Sequence, residues 1–257
     1  MKINYLVKSV AGAALLAASF ALPTSADHHG HAIMAAVKNV DRSAEDKALD
    51  AARKPGDVLM FAGIAPGMKV LDINSAGGYY SEMLSLTVGS GGKVYAHNGA
   101  VYWAFMKQTM PERFADGRLA NVVHMNGVSE IIDLPAGSLD AAFAALAYHD
   151  YFMTHDAREG GGREDVMPVL KSIYTALKPG GSFTIVDHIA KAGTGPDDFD
   201  KLHRIDPAFV QKQMEEAGFT LAGSSEALMT GMDDPTASPF APEVRRKTDR
   251  FVMKFVK

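Results

Sequence analysis

The sequence predicts an α/β fold: a mostly parallel seven-stranded sheet with an antiparallel last strand and helices on both faces. Two observations lead to this prediction. From residue 69 onward, short apolar runs alternate with amphipathic segments, and glycines or prolines separate them. The last two apolar runs, residues 219–228 and 250–256, are joined by a polar loop of roughly twenty residues, and strands joined without a crossover helix pair antiparallel.

The individual elements follow from apolar spacing and from breakers. Tyr80, Met83, Leu84 and Val88 recur at helical spacing after a Gly-Gly pair, which predicts a helix there. The predicted strands are residues 69–73, 93–97, 121–125, 139–146, 182–187, 219–228 and 250–256. The predicted helices are residues 43–53, 77–88, 101–114 with an interruption near Pro111, 164–177 and 206–217.

The chain begins with the pattern of a secretory signal. Lys2 and Lys8 precede an apolar run over residues 10–22. Thr24-Ser25-Ala26 is a small-x-small cleavage motif. We therefore expect a signal peptide over residues 1–26, an N-terminal arm and helix over 27–54, and one domain over 55–257. The expected location is periplasmic or secreted, and an uncleaved membrane anchor is the alternative.

Composition restricts the partners. Removal of Lys2 and Lys8 with the signal lowers the basic count from 26 to 24 against 30 acidic residues, a net charge near −6. This charge argues against a nucleic-acid partner. The chain has no cysteine, which excludes disulfides and thiolate metal sites. We expect a small-molecule substrate and no integral membrane segment after signal removal, while the oligomeric state stays open.

Three segments resemble class I S-adenosylmethionine-dependent methyltransferases. They are VLDINSAGGYYSEML, LPAGSLDAAFAALAYHD and LKPGGSFTIVDH, in this order and spacing. The later segments HRIDPAFVQKQMEEAGF and RRKTDRFVMKF resemble a group of exported bacterial proteins described as predicted methyltransferases. The resemblance covers roughly residues 55–257 and implies a Rossmann-like methyltransferase fold with S-adenosylmethionine as cofactor.

The resemblance also implies the positions that hold this cofactor. The family's first loop reads D-x-G-x-G-x-G, and here Asp72, Asn74, Ala76 and Gly78 occupy its four named places, with Gly77 as an added glycine. Ala76 tolerates a left-handed backbone less well than glycine does.

Three further positions follow the next strands. Asn98 stands where an acid normally accepts the ribose hydroxyls, and helix capping is its alternative role. Asn126 stands at the adenine position, with an Asn-Gly turn as the alternative. Tyr148 completes the predicted cofactor site.

Polar side chains after the fourth and fifth strands are the catalytic candidates. His149 and Asp150 follow strand four, His188 follows strand five, and His203 precedes the next helix. Strand ends of a parallel sheet share one edge, so these side chains are expected to converge. His149 suits a general base oriented by Asp150. The alternatives are a His/carboxylate metal site and a loop histidine bonded to the backbone.

The predicted mature chain would begin Asp27-His28-His29-Gly30-His31. A free amine, two backbone amides and the His29 imidazole can surround Cu(II) or Ni(II) in a square plane, and His28 and His31 stand beside them. A disordered polar start is the alternative.

Two functional hypotheses follow. One is an S-adenosylmethionine-dependent methyltransferase that acts on a small-molecule acceptor in the cell envelope. The other is a non-methylating exported protein on the same scaffold, either a small-ligand binder or a His/Asp metal-dependent enzyme. The altered glycine loop and Asn98 favour the second, and the three matching segments favour the first.

Overall fold

The computed structural model of the protein describes residues 25–108 and 113–257. The expected signal peptide, residues 1–26, lies almost entirely outside this range. The helices are α1 Ser25–Val37, α2 Ala44–Lys47, α3 Asp50–Arg53, α4 Pro55–Ala62, α5 Tyr79–Val88, α6 Ala100–Met106, α7 Val166–Ala176, α8 Pro196–Leu202 and α9 Pro207–Glu216. The strands are β1 Lys69–Ile73, β2 Lys93–Gly99, β3 Val122–Val128, β4 Leu139–Ala145, β5 Leu177–His188, β6 Thr220–Ser225 and β7 Arg250–Val256.

The seven strands form one sheet in the order β3-β2-β1-β4-β5-β7-β6. Strands β1 to β5 pair in parallel, and β7 pairs antiparallel with both β5 and β6. The predicted fold class is therefore confirmed. The strand order reverses between β1 and β4, the point at which ligands bind in open α/β sheets.

Apolar side chains alternate between the two faces of the sheet. Val70 packs in a cluster with α1, α4 and α5, whereas its neighbour Leu71 packs in a second cluster with α7 and α9. Both side chains are fully buried. Helices on both faces explain why the parallel strands are apolar throughout instead of alternating with polar residues.

Two helical predictions differ from the structure. Residues 27–42 were expected to form an arm, but α1 continues to Val37, because Ile33 and Ala36 bury an apolar stripe in the cluster that contains α5. Within the helical segment predicted over 101–114, α6 ends at Met106, and residues 109–112 around the predicted interruption lie outside the described range. Among the described residues, no helix has the length and apolarity needed to cross a bilayer.

Candidate functional site

The loop after β1 keeps a tightly bent backbone although two glycines are replaced. Asn74 and Ala76 both adopt left-handed conformations, with φ of 47° and 50°, and Gly78 follows with φ of 81°. A left-handed backbone conformation costs a residue that has a Cβ about 1–2 kcal/mol relative to the right-handed one. Hydrogen bonds hold the bend: the Ser75 amide donates to the His97 carbonyl at 2.8 Å, and the Gly78 amide donates to the Ser75 carbonyl at 2.9 Å.

Asn98 is turned toward this loop and not toward a ligand. Its Oδ1 accepts the Ala76 amide at 2.9 Å, and its Nδ2 donates to Asn126 Oδ1 at 3.2 Å. Asn98 is fully buried. It does not cap α6, since Gly99 is the N-cap residue there. The predicted ribose contact and the predicted adenine contact therefore bond to each other and to the loop.

Side chains of this chain cross the crevice above β1 and β2. Tyr102, on α6 after β2, reaches over β1 to donate to Asp150 Oδ2 at 2.5 Å, with the Leu146 carbonyl at 3.4 Å. Both acceptors follow β4, so the phenol spans the width of the crevice. Glu130 follows β3, and its Oε2 accepts a hydrogen bond from the side-chain nitrogen Nδ2 of Asn74 at 3.4 Å.

The glycines around the crevice are covered as well. A Cβ built on Gly99 would stand 1.9 Å from Glu130 Oε1, and one on Gly127 would stand 2.7 Å from Trp103 Cδ1. A Cβ built on Gly77 would stand 3.0 Å from Met106 Cε. Side chains thus lie against three glycines of the crevice, while a cavity of about 740 Å³ opens beside Gly77 and Met106.

The side chains that the sequence predicted to hold S-adenosylmethionine are engaged with one another and with the fold in this structure. Asn74, Asn98 and Tyr148 are between 0% and 3% exposed. Tyr148 donates its hydroxyl to Gln213 Oε1 at 3.0 Å, away from the loop. Asp72 is equally buried and accepts the Ser81 hydroxyl at 2.6 Å. In this structure these side chains are hydrogen-bonded within the protein.

The catalytic candidates do converge. His149 opens a 3-10 turn after β4, and its Nδ1 lies 2.8 Å from Asp187 Oδ1 at the end of β5. Its backbone amide donates to the other oxygen of Asp187 at 2.9 Å. The opposite ring nitrogen, Nε2, lies 3.1 Å from Asp150 Oδ1. Asp187 thus fixes the ring so that Nε2 faces Asp150.

His203 approaches the same carboxylate from the end of α8, with Nδ1 at 3.7 Å from Asp150 Oδ1. It has a left-handed backbone, with φ of 50°, as the C-cap residue of the helix. One ligand atom from each of His149, Asp150 and His203 lies within 4.8 Å of the others. We call these three residues the His/Asp cluster.

Electrostatics reinforce this arrangement. Burial alone would lower the pKa of His149, but the carboxylates of Asp187 and Asp150 outweigh it and raise the pKa to about 10. Burial opposes ionisation of Asp150, yet His149, His203 and Tyr102 together hold the pKa of that carboxyl well below its ordinary value. In the protein alone, an imidazolium therefore stands between two carboxylates.

His188 differs from the other candidates. Burial and then the charge of His149 move the pKa of His188 well below its ordinary value. Its ring centroid lies 6.2 Å from that of His149, and it does not belong to the His/Asp cluster. The predicted grouping of four catalytic side chains thus resolves into three close residues and one neutral neighbour.

The N-terminal histidines are placed differently from the prediction. Residues 27–29 lie inside α1, and helical backbone does not arrange successive amide nitrogens in a square plane. His28, His29 and His31 are at least partly exposed on this helix. Nothing among the described residues supports a copper or nickel site there.

Sequence reasoning missed Tyr102 and Glu130. Tyr102 was assigned only to a helix, although an aromatic in the first turn after a strand end can reach the same edge of the sheet. Glu130 lies two residues beyond β3, and burial raises its pKa to about 7. Asp187 is the last residue of the fifth predicted strand, but only the folded chain shows that its carboxylate orients the His149 ring.

No protein-family model and no curated protein sequence matches the chain. Solved structures do match in fold. An S-adenosylmethionine-dependent methyltransferase from Aquifex aeolicus is 23% identical, with a TM-score of 0.56 over 82% of this chain and 96% of that one.

Two further structures show similar agreement. A methyltransferase of the same cofactor class from Mesorhizobium loti is 16% identical, with a TM-score of 0.54 over 81% of this chain and 100% of that one. An arsenic(III) S-adenosylmethionine methyltransferase from Chlamydomonas reinhardtii is 16% identical, with a TM-score of 0.54 over 88% and 72%. The chain therefore has the fold of the class I S-adenosylmethionine-dependent methyltransferases.

Proposed function

We propose that this protein is a metal-dependent enzyme that acts on a small molecule outside the cytoplasm, with its reacting centre at the His/Asp cluster. One observation carries the proposal: His149, Asp150 and His203 offer two imidazole nitrogens and a carboxylate oxygen within 4.8 Å of one another. Two histidines and one carboxylate are a ligand set for zinc and for non-haem iron.

The surroundings of His149 support this reading. A metal-bound histidine usually donates its second ring N–H to a carboxylate, which fixes the ring and raises its basicity. Asp187 holds Nδ1 of His149 in this manner at 2.8 Å. A cation would replace the Nε2 proton of His149 and would meet the same two negative charges. The ligands would be Nε2 of His149, a carboxylate oxygen of Asp150 and Nδ1 of His203.

Such an ion would act as a Lewis acid and would activate a bound water at neutral pH. Tyr102 would then hold Asp150 through its second oxygen, Oδ2, and so orient that carboxylate. The aromatic edge of Phe240 packs on the His203 ring, with centroids 5.1 Å apart. These contacts favour an enzyme for a small substrate that has an apolar part.

Metal titration tests the proposal. Chelator-treated protein is titrated with Zn(II) and Mn(II) by calorimetry, and one equivalent should bind. Asp150→Asn and His203→Asn should each weaken binding at least about tenfold, as loss of a ligand does. His124→Ala removes an imidazole on β3 outside the cluster and is the matched control. Equal affinity in all four proteins would refute the site.

Methyl transfer from S-adenosylmethionine is the second candidate. The observation that favours it is the left-handed backbone at Asn74 and Ala76, the bend that the family's glycines normally form. Binding would require Tyr102 to leave the crevice. Calorimetry with S-adenosylmethionine and its demethylated product should detect binding to Tyr102→Ala but not to the wild-type protein. Tight binding to the wild type would instead make methyl transfer the better assignment.

Export is part of the proposal because residues 1–26 have a basic start, an apolar run and a small-x-small motif. N-terminal sequencing of the protein from its native cells should begin at Asp27. A sequence beginning at Met1 in a cytoplasmic fraction would contradict export and would leave the metal proposal standing.

A further inference from the structure

A cavity of about 230 Å³ opens beside the His/Asp cluster. Four arginines line it: Arg53 from α3, Arg245 and Arg246 from the segment before β7, and Arg250 from β7 itself. No aspartate or glutamate is among the described residues that line it. We call this cavity the arginine pocket. Its walls have a concentrated positive charge and nothing of opposite sign.

The nearest carboxylates are engaged elsewhere. Asp50 pairs with Arg42 at 2.7 Å. Asp249 accepts the Thr230 hydroxyl at 2.8 Å. Across residues 25–108 and 113–257, neither Arg53 nor Arg245 forms an ion pair. The pocket therefore keeps its charge in the folded protein.

Arg250 is the strongest sign that an anion belongs here. It is only 5% exposed, and its Nε has no hydrogen-bond partner within the described part of the chain. One terminal nitrogen donates to the Ala52 carbonyl. Asp233 and Asp249 raise the pKa of Arg250 from a distance, against the lowering by burial, but neither forms an ion pair with it among the described residues. A buried guanidinium without a direct ion pair is costly, and such a cost is normally offset by an anionic partner.

The other walls of the arginine pocket are mostly apolar, with Thr248 and His188 as the polar exceptions. Leu49, Leu146, Pro239 and Phe240 face the arginines across the cavity. Water occupies about 30 Å³ per molecule in the liquid, so a cavity of about 230 Å³ suits a ligand of roughly eight non-hydrogen atoms. The walls match a small molecule with an anionic head and an apolar body.

The arginine pocket also touches the reacting centre. Phe240 packs on the ring of His203, and the Leu146 carbonyl lies 3.4 Å from the Tyr102 hydroxyl that holds Asp150. His188, a further wall residue, has a buried Nδ1 with no partner among the described residues. A ligand anchored by its anionic head would therefore reach the His/Asp cluster with its other end.

We propose that the arginine pocket binds the anionic oxygen-bearing head group, carboxylate or phosphate, of a small substrate with an apolar body. The proposal names the substrate class of the enzyme proposed above and rests on it for the word substrate. Ligand binding itself does not require a metal ion. The guanidinium fork supplies two parallel N–H donors to such a head group, which an ammonium cannot do.

Calorimetry with chelator-treated protein tests binding directly. The probes are benzoate and phenyl phosphate, which share an apolar ring, and benzamide, which has the ring but no charge. Benzoate or phenyl phosphate should bind with one site per chain, and the tighter of the two identifies the head group. Arg53→Gln and Arg245→Gln should each weaken that binding about tenfold, the effect of losing one charge-assisted hydrogen bond.

Lys247→Gln is the matched control, because Lys247 follows the two pocket arginines but does not line the cavity. It should bind the probes as the wild type does. The assignment would be overturned if benzamide bound as tightly as the anions, or if Lys247→Gln lost as much affinity as the arginine variants. It would also be overturned if neither benzoate nor phenyl phosphate bound. Zn(II) titration of the same variants keeps the two proposals separate: an intact metal site without anion binding removes only the arginine pocket.

Discussion

Asp72→Asn should stabilise the protein at pH 8 and have much less effect at pH 5. Asp72 lies on β1, 2% exposed, with the Ser81 hydroxyl as its hydrogen-bond donor. Burial raises the pKa of this carboxyl from 3.8 to about 7, and the Ser81 hydrogen bond offsets only part of the increase. Asparagine keeps an oxygen that can accept the same hydroxyl and never ionises.

The sign follows from proton uptake. Between the two pKa values the folded protein binds a proton that the unfolded chain has released, so folding stability falls as pH rises. The loss is complete above the folded pKa. Integrated from pH 5 to pH 8, a shift from 3.8 to about 7 lowers the free energy of unfolding by roughly 3 kcal/mol, a loss that the asparagine variant does not have.

Urea denaturation at pH 5 and pH 8 measures this difference. The advantage of Asp72→Asn over the wild type should grow by roughly 3 kcal/mol between the two pH values. Asp57→Asn, at an exposed position of α4, is the control and should show no such growth. A constant gap for Asp72→Asn would mean that the carboxylate ionises without a desolvation penalty, and a ligand role for Asp72 would then have to be reconsidered.

Three further substitutions test the packing around the site by urea denaturation. Ala76→Gly should raise the free energy of unfolding by up to about 1 kcal/mol, since glycine accepts the left-handed backbone without a Cβ; a destabilised variant would contradict this. Arg204 and Asp233 form a buried ion pair at 2.8 Å; Arg204→Met should destabilise by roughly 3–5 kcal/mol because it removes the partner of the buried Asp233 carboxylate, and removing both charges should recover much of the loss. Gly99→Ala should destabilise by about 1–3 kcal/mol through overlap with the Glu130 carboxyl, and pairing it with Glu130→Ala should relieve that overlap.

The fold was predictable because each strand is an apolar run that must be buried on both faces. Val70 and Leu71 point to opposite faces and both find helices there, as a continuous apolar strand requires. The helix predicted over 101–114 was less well specified. Pro111 was expected only to interrupt it, yet the helix ends at Met106. Residues 109–112 lie outside the described range.

The candidate site was predictable in place but not in detail. The rule for strand ends correctly brought His149 and Asp150 to the edge where β5 ends, whereas His203 reaches them from the end of α8 and His188 stays outside the cluster. It could not give side-chain direction. Tyr148 and His149 are adjacent in sequence. The Tyr148 hydroxyl bonds to Gln213 on α9, whereas the His149 ring bonds to Asp187 at the end of β5. Such choices depend on tertiary packing, which a single sequence does not state.

The altered residues around the loop after β1 satisfy one another's hydrogen bonds, and Tyr102 crosses the crevice beside them. An acid at position 98 would be fully buried with no cation beside it, whereas Asn98 satisfies the Ala76 amide and Asn126 without a charge. Tyr102 then occupies the width that a nucleoside would need and uses its hydroxyl to hold Asp150. The β1–β2 side has no acid at position 98. Charged groups lie close together at the ends of β4 and β5, where His149 lies between two carboxylates. The same scaffold thus keeps its sheet and its switch point, and the proposed metal chemistry would lie at the edge formed by β4 and β5.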